Sequence, residues 1–362
     1  KIPANYRPIS ILSCMGKIFE KIILKKLDSH TKSHNVIPSF QFGFQANFAT
    51  AHQLNRLANT ITSNRNSKKS TGLVTLDLEK AFDTVWHDGL IFKLISNNFP
   101  PKLILLIKSF LSNRSGSVHL HSFCSIHSFT KPFKPLAGLP QGSVLSPILF
   151  NIFTSDISKM KGVKKYAFAD DFAISSSSSN PDSILCSLNK GIRKYVTLCE
   201  QWELKINDGK TEAIYLTRCR SARNLPNSSL MINNNEIPWN NTVKYLGVVL
   251  DKKLTFQKHI EEKLVSGTNA IRILYPFINR NSKLNLRNKL LMYKSLVRPI
   301  ITYASPRWRN SAKTHIKKMQ IFQNKFLKRI LNLPPWYSTS IIHRKAKIDR
   351  ISEFIEKINI KY

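Results

Sequence analysis

Asp170 and Asp171 stand side by side in KYAFADDFAI, residues 165–174, in the middle of an apolar and aromatic run. Burying unpaired charge is costly, so the pair needs a physical reason. One reason is a tight turn between two strands, where aspartate is a common residue. The other is a cation site. Asp77 lies near the end of a second apolar run, LVTLDL, residues 73–78. If the two runs are neighbouring strands, a strand-end carboxylate faces a hairpin-tip carboxylate. Like charges that close must share a proton or bind a cation. One or two carboxylates with free positions suit Mg²⁺, which completes its octahedron with water and substrate phosphates. Two such ions clamp the attacking and leaving oxygens of an in-line phosphoryl transfer. Side chains alternate along a strand, so Asp170 and Asp171 do not both reach Asp77. One is expected as a direct ligand and the other beside it.

The elements that must position these aspartates follow from periodicity. Residues 11–30 have helical apolar spacing, and SFQFGFQANF reads as an aromatic loop before a helix over residues 51–61. LVTLDL reads as a strand leading into a helix in EKAFDTVWHDGL, followed by helices near 88–97 and 101–113. SVHLHSFCSIHSF alternates like an exposed hairpin. LAGLPQGSVLSPILFNIF is a glycine-bearing loop entering a helix, with Ser146 expected as N-cap and Pro147 at the first helical position. SSSSSNPDS reads as a solvated connection, with Asp182 or Ser183 capping the next helix. LKINDGKTEAIYL and VKYLGVVLDKKLTF each read as strand–turn–strand, and from His259 onward the chain is helical and basic. The pattern predicts an α+β core with helical flanks.

The 362 residues carry 56 Lys+Arg against 21 Asp+Glu, a formal net charge of +35. Self-repulsion of that size opposes a compact fold unless a polyanion shares the surface, which makes nucleic acid the expected partner and an anionic membrane surface the runner-up. No apolar run is long enough to span a membrane, and none is expected. The N-terminal KIPANYRPIS has no signal-peptide pattern and reads as a cut through a longer polypeptide. Cys14, Cys124, Cys186, Cys199 and Cys219 are scattered, with no C-x-x-C. That argues for plain thiols in a reducing compartment.

LVTLDLEKAFD, AGLPQGSVLSP and FADD, in that order, resemble the central palm motifs of reverse transcriptases. NYRPISILSCMGKIFEKI, QFGF, LKINDGKTEAI, YLGVVLDKKLTF followed by HI, and YASPRW extend the resemblance to nearly the whole chain. The pattern is similar to the non-LTR, LINE-type retrotransposon enzymes of the insect jockey-like kind. The resemblance implies a right-hand polymerase fold with fingers over 1–70, palm over 71–250, and a helical thumb with the start of a C-terminal connection over 251–362. It implies a catalytic set of Asp77, Asp170 and Asp171 and a metal set of Asp77, Leu78 and Asp170, holding two Mg²⁺ ions with Mn²⁺ as substitute. Phe82 is implied below the sugar of the incoming nucleotide, and Gln141 and Gly142 beside it. Lys210 is implied near the departing pyrophosphate and Arg7 at the triphosphate. Tyr245, Leu246 and Gly247 are implied at the nucleic acid. Asp83 matches a structural aspartate and is not assigned as a ligand.

The tail KTHIKKMQIFQNKFLKRI, residues 313–330, holds six Lys/Arg and no acid. Ile316, Met319, Phe322 and Phe326 fall near one helical face, with Lys318, Lys325 and Arg329 on another. A packed helix with a phosphate-tracking face suits a thumb over a duplex. The reading is an RNA-directed DNA polymerase that extends a DNA primer on an RNA template with dNTPs, within a polyprotein whose endonuclease lies outside this chain. A nuclear or cytoplasmic ribonucleoprotein setting is the family expectation. The fingers depart from the pattern: Gln45 stands where an arginine is usual, and ANFAT replaces a Pro-Gly-His-Ser-Thr-like run. The alternative reading is therefore a catalytically decayed, nucleic-acid-binding relic of such a domain.

Overall fold

A computed structural model describes residues 8–122, 125–159, 162–217, 229–309 and 311–359. Arg7, Cys124 and Cys219 lie outside the described residues. The chain opens with two helices, α1 (Cys14–Ser33) and α2 (Thr50–Asn66), then enters the central strand β1 (Ser70–Leu76). Helices α3 (His87–Ser96) and α4 (Pro101–Leu111) follow, then a hairpin of β2 (His119–Ser122) and β3 (Ser125–Phe129) and the apolar helix α5 (Ser146–Phe153). A second hairpin, β4 (Lys164–Phe168) and β5 (Asp171–Ser178), leads to α6 (Pro181–Gln201) and β6 (Glu212–Leu216). Short strands β7 (Leu230–Ile232), β8 (Asn235–Ile237) and β9 (Trp239–Asn240) precede the hairpin β10 (Thr242–Tyr245) and β11 (Val248–Asp251). The rest is helical: α7 (Gln257–Ile278), α8 (Leu286–Met292), α9 (Arg298–Ile301), α10 (Ser305–Trp308), α11 (Lys313–Ile330), α12 (Thr339–Ala346) and α13 (Ile351–Asn359).

The main sheet has the order β4-β5-β1-β6-β9, with β1 antiparallel to both of its neighbours. Its two faces bury different clusters, as strand alternation requires. Val74, Leu76, Phe172 and Ile174 point into one core with α3 to α6. Leu73, Ala173, Ile214 and Leu216 point into another with α2, the β10–β11 hairpin and α13. A third cluster joins α7, α8, α11 and α12. Helix α6 crosses β1 at Gly72, where a Cβ would meet Ile184 and Leu188 side chains at 2.7 Å. Among the described residues no helix is long and apolar enough to cross a membrane.

Several local expectations need correction. EKAFDTVWHDGL is not helical until His87. The carbonyls of Phe82 and Val85 are taken by the N–H groups of Leu139 and Gly138, at 2.7 and 2.8 Å, and Lys80 has φ +49. Leu145, not Ser146, caps α5, and the Ser146 hydroxyl donates to Pro140 O instead. Asn180 caps α6 by accepting from the Asp182 N–H, with Pro181 in the first turn. Before β6 the expected strand shrinks to a bridge between Leu78 and Ile206.

Candidate active site

Asp77 follows directly on β1, whose last paired residue, Leu76, lies opposite Phe172 of β5. One further step of that antiparallel register brings the Asp77 backbone beside Asp171. The Asp77 carbonyl accepts from Asn207 N–H at 2.8 Å, and the Glu79 N–H donates to Lys205 O at 2.8 Å. Both bonds tie the strand end to the segment 205–207. Leu78 buries its side chain in the core, so only its backbone carbonyl remains to offer a cation.

The ADD sequence makes the tip of the β4–β5 hairpin. Phe168 pairs with Asp171, leaving Ala169 and Asp170 as the two turn residues. The turn and the carboxylate pair therefore coexist at the same residues. Ala169 has φ +57, a left-handed conformation that costs an L-residue roughly 1–2 kcal/mol. Asp170 is half-buried and Asp171 exposed.

Two buried tyrosines lie within electrostatic reach of the three carboxylates. Burial pushes the Tyr195 hydroxyl pKa well above its usual value, and Cys199, Asp77 and Asp170 push it further. Burial likewise raises Tyr245, with Asp171 among the contributing charges. Tyr195 thus lies within electrostatic reach of Asp77 and Asp170, and Tyr245 within reach of Asp171. Tyr195 stacks on Phe172 at 4.7 Å, and both rings line a cleft with Asp170.

Lys210 extends its Nζ to 3.4 Å from Asp77 Oδ2. It belongs to a single helical turn, Asp208–Lys210. Phe82 lies five residues past Asp77, stacked on Phe150 at 4.6 Å and met edge-on by Phe44 at 6.0 Å. Gln141 donates from Nε2 to Asp83 Oδ1 at 2.9 Å, and its carbonyl accepts from Ser10 N–H at 2.7 Å. Gly142 has φ +119, and a Cβ there would lie 2.6 Å from Ser10 O. Asp83 therefore orients Gln141 rather than joining the carboxylate group.

At the β10–β11 tip, Leu246 and Gly247 both have positive φ, +46 and +70, a pattern of two-residue hairpin turns. The Tyr303 hydroxyl donates to Leu246 O at 2.8 Å, and the Trp308 indole N–H donates to Tyr303 O at 2.8 Å. YLG and YASPRW, far apart in sequence, meet here. The side chains of Tyr245 and Leu246 are buried. Of this motif only Gly247 is partly exposed. On α11, Met319, Gln323, Phe326, Leu327 and Ile330 are buried and Ile316 and Phe322 partly so. Lys318, Lys325 and Arg329 are exposed. Lys318 reaches Glu261 at 3.4 Å, and Arg329 lies over the Tyr275 ring.

Three residues with structural tasks at the site were not singled out from sequence. Glu20 of α1 accepts from Ser143 Oγ at 2.7 Å and Val144 N–H at 2.6 Å, anchoring the loop after Gln141. Its signal was a carboxylate in the apolar stripe with Ile23 and Leu27. Gln53 donates to Phe40 O and Ala167 O, both at 3.2 Å. Gln41, within QFGF, bonds the ADD tip itself. Gln45, in the place of the expected arginine, donates to Gln41 O at 2.6 Å. Cys199 is buried with its thiol pKa pushed up to about 12, chiefly by burial, as befits a core cysteine.

Among the described residues no group of three or more His, Cys, Asp or Glu side chains could by itself hold a metal ion. The oxygen-only pair Asp77 and Asp170 fits the hard cations that take one or two carboxylates and fill the remaining positions with water and phosphate.

Residues 1–250 match the family described as reverse transcriptase (RNA-dependent DNA polymerase). The chain is 34% identical over 368 residues to the RNA-directed DNA polymerase from mobile element jockey of Drosophila melanogaster, covering 99% of this chain and 39% of the relative. It is 32% identical to the probable RNA-directed DNA polymerase from transposon X-element of the same species, with 99% and 39% covered. The chain thus spans less than half the length of the relatives it matches. A solved telomerase from Candida albicans, in complex with a fragment of telomeric RNA, aligns over 93% of this chain and 59% of its own. Its TM-score is 0.51 at 9% identity, a likeness of fold. The mixed sheet, its helical flanks and the order of motifs are those of a right-hand polymerase, and the chain belongs to the reverse transcriptase family, in its non-LTR retrotransposon branch.

Proposed function

We propose that this chain is the polymerase part of a retrotransposon polyprotein and extends a DNA 3′-hydroxyl on an RNA template with dNTPs. The observation that carries it is the β1–β5 register, which sets the Asp77 strand end against the ADD tip. Asp77 and Asp170 would hold two Mg²⁺ ions, or Mn²⁺ in their place, which when bound supply the charge that stabilises the attacking and leaving oxygens. Phe82, fixed by Phe150 and Phe44, would carry the deoxyribose. Gln141, held by Asp83, would border the base. Lys210 would follow the departing pyrophosphate, and Arg7 would meet the triphosphate. Gly247, Lys318, Lys325 and Arg329 would track the primer–template backbone. Residues 1–70 would serve as fingers, 71–250 as palm and 251–362 as thumb and the start of a connection. An endonuclease elsewhere in the polyprotein would provide the primer end.

Primer extension on an RNA template tests this, with wild type beside Asp170→Asn. Incorporation by wild type and its loss in the variant, with primer–template binding retained in both, is the expected result. Tight binding by wild type without any incorporation would leave only the relic reading.

A further inference from the structure

The ADD tip contains one residue in the left-handed region, Ala169 at φ +57, immediately before Asp170. Both polar backbone groups of that residue go to one side chain. Gln41 Oε1 accepts from the Ala169 N–H at 3.0 Å, and Gln41 Nε2 donates to the Ala169 carbonyl at 3.2 Å. We propose that Gln41 is a positioning residue for Asp170, its amide gripping Ala169 so that the tip keeps the conformation that turns Asp170 toward Asp77. This rests on the polymerase reading above for the use made of Asp170.

Gln41 is itself held in place. Its Oε1 also accepts from Gly43 N–H at 2.8 Å. Its backbone N–H donates to Pro38 O at 3.0 Å, and its carbonyl accepts from Gln45 at 2.6 Å. The flanking Phe40 and Phe42 exchange backbone hydrogen bonds with Ala167, at 3.1 and 2.9 Å. The loop lies so close to the tip that a Cβ on Gly43 would fall 2.1 Å from Ala169 N. Asn151 Nδ2 donates to Gly43 O at 2.9 Å and fixes the far side of the loop. Gln41 is 5% exposed, so water does not take over when the amide is removed. Among side chains of this length only an amide offers an acceptor and a donor together. Glutamate keeps the acceptor and loses the donor, and methionine keeps the volume and loses both. An alanine released from both bonds relaxes to negative φ, and the next side chain turns with it.

The test uses this chain with primer–template bound and reads Mn²⁺ affinity by electron paramagnetic resonance, a measurement that needs no turnover. Gln41→Met is expected to weaken Mn²⁺ binding about tenfold, as loss of an outer support does at metal sites. Gln41→Glu falls between, and neither changes primer–template affinity. Adding Ala169→Gly to Gln41→Met restores part of the loss, because glycine adopts positive φ without strain. Unchanged Mn²⁺ affinity in a folded Gln41→Met protein overturns the proposal, as does a loss that Ala169→Gly leaves untouched. Should Gln41→Met not fold, Ala169→Val probes the same link, since a branched residue resists φ +57, and unchanged Mn²⁺ affinity there overturns it equally. Wild type that binds Mn²⁺ yet extends no primer defeats the polymerase reading and leaves the positioning role standing.

Discussion

Lys210 and Asp77 form an ion pair of 3.4 Å across the mouth of the site, with the Lys210 side chain 71% exposed and that of Asp77 31%. An exposed pair of this kind contributes about 0–1 kcal/mol to stability. Its weight must lie elsewhere, in keeping a mobile cation within reach of Asp77. Lys210→Met is expected to leave the thermal midpoint unchanged and to slow nucleotide incorporation about tenfold, the scale of one charge-assisted contact of 1.4 kcal/mol. Rapid-quench single-turnover rates beside a melting curve check this. An equal fall in both would make the pair structural.

The three aspartates should separate by position. Asp77→Asn and Asp170→Asn are expected to abolish extension while sparing primer–template binding. Asp171→Asn, at an exposed residue of the tip, should retain more activity. Extension assays with parallel filter binding decide, and a deeper loss at Asp171 than at Asp170 would reverse the assignment of the direct ligand.

Phe82 is expected to select the sugar. Its ring is pinned by Phe150 and Phe44, so a ribose 2′-hydroxyl would meet an apolar face that does not yield. An unpaired buried hydroxyl costs about 1–3 kcal/mol, roughly ten- to a hundredfold in selectivity. Phe82→Ala should therefore narrow the deoxyribonucleotide over ribonucleotide ratio of kcat/KM on one primer–template. An unchanged ratio would reduce Phe82 to a packing residue.

Primer–template affinity should fall steeply with salt, with a log–log slope of about −0.9 per neutralised phosphate. Lys325→Ala should flatten that slope by about one contact. Lys318→Ala should flatten it less, because Lys318 already faces Glu261 at 3.4 Å. Binding titrations over a salt series read both, and a flat wild-type profile would contradict the role of the basic surface.

His259 gives the fold an acid limit. Burial and the nearby Lys263 lower its pKa to about 4, against 6.5 for an ordinary histidine, and its Nδ1 accepts from Val249 N–H at 3.4 Å. The unfolded chain protonates first as pH falls, so the contribution is intact above pH 6.5 and is lost progressively toward pH 4. Two and a half pKa units correspond to about 3 kcal/mol. Urea midpoints at pH 7 and pH 5 should diverge for wild type and converge for His259→Asn. Equal divergence in both would acquit the histidine.

Much of this architecture could be read in the sequence because strands and motifs are local. LVTLDL, the ADD hairpin and the YLG turn carry their periodicity and turn residues within a few positions of one another. The helix misplaced at EKAFDTVWHDGL failed for the opposite reason. Phe82 and Val85 give their carbonyls to Leu139 and Gly138, more than fifty residues away, and no local propensity reveals that. The resemblance marked both Asp83 and Gln141, but not the hydrogen bond that joins them. The grip of Gln41 on Ala169 was hidden for the same reason, since QFGF and FADD show no sign of one another until the chain is folded.

One apolar cluster gathers Leu54 and Ile61 of α2, Ile214 and Leu216 of β6, and Ile351 and Ile355 of α13. The same face is bound by Arg307, which donates to Asn55 O at 3.4 Å and Asn59 Oδ1 at 3.2 Å. While the chain is being synthesised, the part of that face that α10 and α13 cover therefore stays bare until those helices leave the ribosome. A nascent chain stopped at residue 250, where the family match ends, would display Leu216, Val243 and Trp308's vacant berth as a sticky surface. Such a truncation should be captured by chaperones or aggregate, because the portion past residue 250 is a folding partner of the sheet.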